Sequence, residues 1–189
     1  MGKGRLEAFS DGVLAIIITI MVLELKVPHG TDLEALIPLG PTFLGYVLSF
    51  VYVGVYWNNH HHLLHTVKRV TAGVMWANLH LLFWLSLFPF VTGWAGDHPT
   101  AHWPAALYGV VLLCAAFAWL LLQNAIIRAG GTLDKAIGSD FKGKISPVLY
   151  VSGIVVAFYL PWISEALYAS VALLWLIPDR RIERHMASE

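Results

Sequence analysis

Six apolar runs, each close to the length of a bilayer-crossing helix, follow one another along a chain of 189 residues. A crossing needs about 20 consecutive, mostly apolar residues. Phe9–Val27, Pro41–Leu64, Val74–Ala95, Pro104–Ile127, Ile145–Trp162 and Ile163–Ile177 supply such runs. Only the break Leu160-Pro161-Trp162 separates the last two. A proline inside the run, with Glu165 soon after it, predicts a tight hairpin there and not one long helix. Composition agrees: 58% of residues are hydrophobic and 13% are charged, whereas a soluble domain carries about 25% charged residues. The expected fold class is therefore an all-α membrane protein, a single six-helix domain over residues 1–189 with no internal repeat.

The same composition excludes several functions. Twelve basic and twelve acidic residues cancel, so no excess charge favours nucleic acid. The lone Cys114 lies in an apolar run, which rules out a disulfide framework or a cysteine metal site. The amino-terminal stretch has no small-residue cleavage site before its first apolar run, so no removable signal peptide is expected. No phosphate loop, nucleophile elbow or metalloprotease motif occurs, so neither an enzyme nor a cofactor is expected.

Basic residues orient the spans. Lys3 and Arg5 precede the first, Lys68 and Arg69 follow the second, Arg128, Lys135, Lys142 and Lys144 fill the loop after the fourth, and Arg180, Arg181 and Arg184 follow the sixth. Only Lys26 falls in a loop on the other side. Six crossings make this distribution consistent throughout, and the positive-inside rule then predicts both termini in the cytoplasm. Trp57, Trp94, Trp103, Trp162 and Trp175 fall near span ends, where amphipathic rings favour the headgroup level.

The first span differs from the other five, because it opens with Ser10 and Asp11 and closes with Glu24. Ionisable groups at membrane depth are expensive and face protein or water. One reading makes Ser10 and Asp11 caps of the helix start. Helical geometry offers more. At about 100° per residue, Ile16, Thr19, Ile20 and Leu23 share one stripe, with Gly12 on it a turn earlier. Asp11 lies roughly 140° from Ile16 on that wheel, which predicts that it points into the bundle. Ordinary helix packing is the other reading of such a stripe.

Phe9-Ser10-Asp11, preceded by Arg5 and followed by Ala15-Ile16 and Thr19, resembles the first-helix signature of the transmembrane protein 175 family, lysosomal and bacterial potassium channels. Trp57 with His60 and His61, and Trp76-Ala77-Asn78 through Leu87-Phe88-Pro89-Phe90, extend the resemblance over the first three spans. It implies a homotetramer in a bacterial plasma membrane, with the four first helices lining a central pore. Ile16 matches the family's hydrophobic constriction and Thr19 its pore-facing threonine, and Ile20 and Leu23 continue the same face. Arg5, Phe9, Ser10 and Asp11 match the signature that braces the first helix against its neighbours. Trp57, His60 and His61 are implied in packing and hydrogen bonds beside it.

No carbonyl filter such as a TVGYG loop occurs, so selection would fall to side-chain rings. A narrow apolar collar penalises the more tightly hydrated sodium, and threonine hydroxyls act as weak ligands. The expectation is a channel of modest potassium-over-sodium selectivity, with potassium and other monovalent cations as permeant species and lipid as its surroundings. Glu24 is read either as part of an outer cation-attracting ring or as a solvated carboxylate near Lys26. His61 and His65 are one turn apart, as a zinc-binding face requires, but no carboxylate or cysteine sits beside them and no metal is expected. His80 and Asn78 read as buried hydrogen-bonding groups, and His98 and His102 as loop residues without partners. The rival function is a secondary transporter or proton-coupled carrier using Asp11, Glu24 and the histidines, though such carriers often show inverted repeats and broken helices.

Overall fold

The structure, a computed structural model, describes residues 2–131 and 141–176. Lys135, Ile177 and the arginines at 180, 181 and 184, on which part of the orientation rests, lie outside the described residues. Among those described, every regular element is helical. The long helices are α1 (Lys3–Met21), α2 (Gly40–His65), α3 (Ala72–Ser86), α4 (Phe88–Asp97), α5 (His102–Arg128), α6 (Phe141–Ala157) and α7 (Pro161–Leu176). α3 and α4 follow one another as a single broken span, so the described residues hold six long helical segments. Four of them, Lys3–Glu24, Leu33–His65, Ala72–Asp97 and His102–Arg128, are long and apolar enough to cross a membrane, and Pro161–Leu176 is a shorter apolar helix.

Several boundaries depart from the sequence expectation. α1 begins at Lys3 and not at Phe9, because its first two turns are polar and hydropathy does not register them. The third span breaks at Leu87. Pro89 has no N–H to offer the Leu85 carbonyl, and Leu87 N–H closes a tight turn on Trp84 O at 3.3 Å. The break before the last helix falls at 158–160, so Pro161 and Trp162 open α7. Proline is at ease in a first turn, where its missing N–H would have no partner. The hairpin itself is as tight as expected. Tyr159 and Leu160 N–H both donate to Val156 O, and Ser164 Oγ in α7 donates to Gly153 O in α6 at 2.9 Å.

α1 packs against α2, α3 and α4, while α5 packs against α3, α4, α6 and α7. The core between α2, α5, α6 and α7 is built on Tyr52, Tyr108, Tyr150 and Tyr168. Buried tyrosines require partners for their hydroxyls. Tyr52 Oη donates to Tyr168 O at 2.6 Å, Tyr168 Oη to Ala105 O at 3.2 Å, and Tyr108 Oη to Ser49 Oγ at 2.7 Å. Thr92 Oγ1 donates to Phe88 O, so Ser49 donates in turn to Thr92 at 2.6 Å. That chain of hydroxyls joins α5, α2 and α4.

Candidate functional site on the first helix

α1 has two unlike faces. Leu6, Ser10, Leu14, Ile17 and Met21, spaced by three or four residues, are buried. On the other side Ile16 is 57% exposed, with Thr19, Ile20 and Leu23 exposed alongside. The helix tightens after Met21 into a 3-10 turn, Val22–Glu24, which advances about 120° per residue. Leu23 therefore leaves the α-helical stripe slightly. Thr19 Oγ1 donates to Ile16 O at 2.9 Å, the local bond threonine commonly makes in helices.

An open cleft of about 610 Å³ runs beside this face, with Ile16 and Ile20 on one wall and Pro89, Phe90 and Trp94 of α4 on the other. Glu24 and Asp97 stand at its far end. The Glu24 side chain packs on the backbone of Gly93, where a Cβ would collide with its carboxylate. Lys26 pairs with Asp97 at 2.5 Å and not with Glu24. Opposite charges in two loops on the same predicted side of the membrane were the legible signal for that pair. Glycine at 93 gave no signal of its own.

At the near end a buried relay anchors α1. Asn78 Nδ2 of α3 donates to Ser10 Oγ at 2.9 Å, and Ser10 Oγ donates to Leu6 O at 2.9 Å. With its amide nitrogen committed, Asn78 presents Oδ1 to His60 Nε2 of α2 at 2.6 Å, so His60 carries its proton on Nε2. All three side chains are at most 2% exposed. Ser10 thus lies well inside α1 and does not cap it. Asp11, expected to point into the bundle, is exposed and accepts from Trp57 Nε1 at 3.1 Å. The centre of the buried face lies about 120° from Ile16 on the helical wheel, which leaves Asp11 about 100° beyond it. Distance from one stripe did not locate the other.

The remaining candidates separate. Arg5 and Phe9 are exposed. Trp57 and His60 reach the first-helix motif, but His61 is exposed and shares a contact with His65. Asn78 is buried as expected. His80 is exposed and accepts from Trp84 Nε1 at 2.8 Å. His102 opens α5 and has a partner after all: its Nδ1 donates to Ala157 O, the last carbonyl of α6, at 3.0 Å.

These helices, with apolar faces outward and polar groups paired inside, define a multi-pass membrane protein. The family model described as the endosomal/lysosomal potassium channel TMEM175 matches residues 5–89, which include the α1 face and the buried relay of Ser10, His60 and Asn78. A potassium channel of Chryseobacterium sp. (strain P1-3) is 57% identical over 189 residues, 98% of each chain. A potassium channel of Streptomyces collinus is 35% identical over 71% of this chain and 69% of its own. The crystal structure of a lysosomal potassium-selective channel TMEM175 homologue from Chamaesiphon minutus matches with a TM-score of 0.79 at 30% identity, over 93% of this chain and 96% of that one. The chain belongs to the TMEM175 family, whose members are channels and not enzymes.

Proposed function

We propose that the chain is a potassium-permeable channel of a bacterial plasma membrane, with six crossings, both termini cytoplasmic, and four copies packing their α1 helices around a central pore. The observation that carries this reading is the divided surface of α1. One face is fully engaged within the protomer, while Ile16, Thr19, Ile20 and Leu23 remain uncovered in a chain related along its length to potassium channels. A continuous helix has its carbonyls paired internally, so these side chains are what α1 offers an ion.

Four Ile16 side chains would form the narrowest collar and strip water from a passing cation, at greater cost for sodium than for potassium. Such a collar also closes by dewetting. Thr19, Ile20 and Leu23 would continue the wall. In this arrangement Ser10, Asp11, Trp57, His60 and Asn78 hold α1 within its own protomer, and the exposed Arg5 and Phe9 brace it against the next.

Single-channel recording from purified protein in a planar bilayer tests the proposal. Ile16→Asn wets the collar, so conductance should rise while discrimination between potassium and sodium falls. Unchanged current and reversal potential in that variant would remove Ile16 from the pore. Flux that ran only with a coupled proton gradient would replace the channel with a carrier.

A further inference from the structure

We propose that His61 and His65, at the end of α2, form a two-imidazole site for a borderline-soft divalent metal ion such as zinc or nickel. The two Nε2 atoms face each other at 3.1 Å, and the rings stand edge to face with centroids 4.5 Å apart. Metal–nitrogen bonds of about 2.0–2.1 Å in octahedral or tetrahedral geometry place two cis nitrogens roughly 2.9–3.4 Å apart. The pair is therefore already at chelating distance. A metal ion would take the place of the proton the two rings now share, once both rings carry their hydrogen on Nδ1.

The backbone beneath the pair is held. Lys3 Nζ donates to His65 O at 2.9 Å, and Thr66 Oγ1 donates to Leu63 O at 2.7 Å. Both imidazoles are exposed, so an ion has access and open positions for water. Among the described residues no third histidine, cysteine or carboxylate joins them. The basic residues nearby in the chain and on α1, Lys68, Arg69 and Lys3, repel any cation held by charge alone. Binding therefore has to come from nitrogen coordination, which favours zinc, nickel and copper over magnesium or calcium. His62 touches His61 edge to face at 5.7 Å between ring centroids, but it is not part of the converging pair.

Titration calorimetry on tag-free, purified full chain with zinc, nickel and magnesium chlorides tests the site. Wild type should bind one zinc or nickel ion per chain at this site and give no saturable heat with magnesium. His61→Ala and His65→Ala should each weaken that binding at least tenfold, and His62→Ala should leave it unchanged. The Gln variants at 61 and 65 repeat the test if an alanine variant elutes as aggregate. Wild-type affinity in either the 61 or the 65 variants, loss of binding in His62→Ala, or no saturable zinc binding up to millimolar metal would each overturn the assignment.

Discussion

Ser10 has no exposed surface, and its hydroxyl both donates to Leu6 O and accepts from Asn78. Ser10→Ala removes that acceptor and leaves the Asn78 amide N–H unpaired inside the bundle, at a cost of about 1–3 kcal/mol. The expected result is a lower Tm in detergent. A Tm at the wild-type value would show that another acceptor takes over. Thr19 poses a different question. Its hydroxyl hydrogen is committed to Ile16 O, which turns the oxygen lone pairs away from the helix, the orientation a weakly coordinated cation needs. Thr19→Val keeps the shape and removes the oxygen, so a fall in the potassium-to-sodium permeability ratio would show that these lone pairs meet the ion in spite of the bond back to Ile16 O. A wild-type ratio would leave selection to the apolar collar. Sequence located these residues but not their directions. Ser10 and Asp11 are adjacent and both polar, and only the packing of α3 decides which enters the core.

At the scale of the elements, the α6–α7 hairpin is closely fitted. A Cβ at Gly153 would strike the Tyr168 ring, and one at Gly109 would strike the Tyr168 hydroxyl. Tyr168 is therefore seated between two glycines on α6 and α5. Gly153→Ala should overpack this contact and destabilise the protein by about 1–3 kcal/mol, measured as a fall in Tm. An unchanged Tm would show that the hairpin can open at no cost. The apolar runs made α2 and α5 legible almost to the residue, because their length and hydropathy coincide with their helical extent. They failed at the polar start of α1, where charged residues continue the helix beyond the apolar run. They also failed at Leu87, because Pro89 lies in an unbroken apolar run and hydropathy is blind to a missing N–H. The 3-10 stretch Leu33–Leu39, with Leu33 and Ile37 exposed, escaped notice for a related reason. Its apolar residues are too few to register as a span.

For the molecule as a whole, the distribution of lysine and arginine makes a topological prediction. In a Cys114→Ala background, a membrane-impermeant thiol reagent should label His98→Cys from outside intact cells. It should reach Lys68→Cys only after permeabilisation. The reverse pattern would invert the protein in the membrane and with it the direction of the proposed pore. The relay from His60 through Asn78 to Ser10 has a consequence at this scale. In lipid, an apolar helix that slides one turn along its neighbour exchanges one set of hydrocarbon contacts for another, and bulk water supplies no hydrophobic penalty. Packing alone therefore fixes the depth of α1 weakly. A slide of about 5.4 Å would pull Ser10 out of reach of Asn78 and strand polar groups in hydrocarbon. One small cluster of hydrogen bonds thus sets the vertical register of three helices, and so the height in the bilayer at which Ile16 stands.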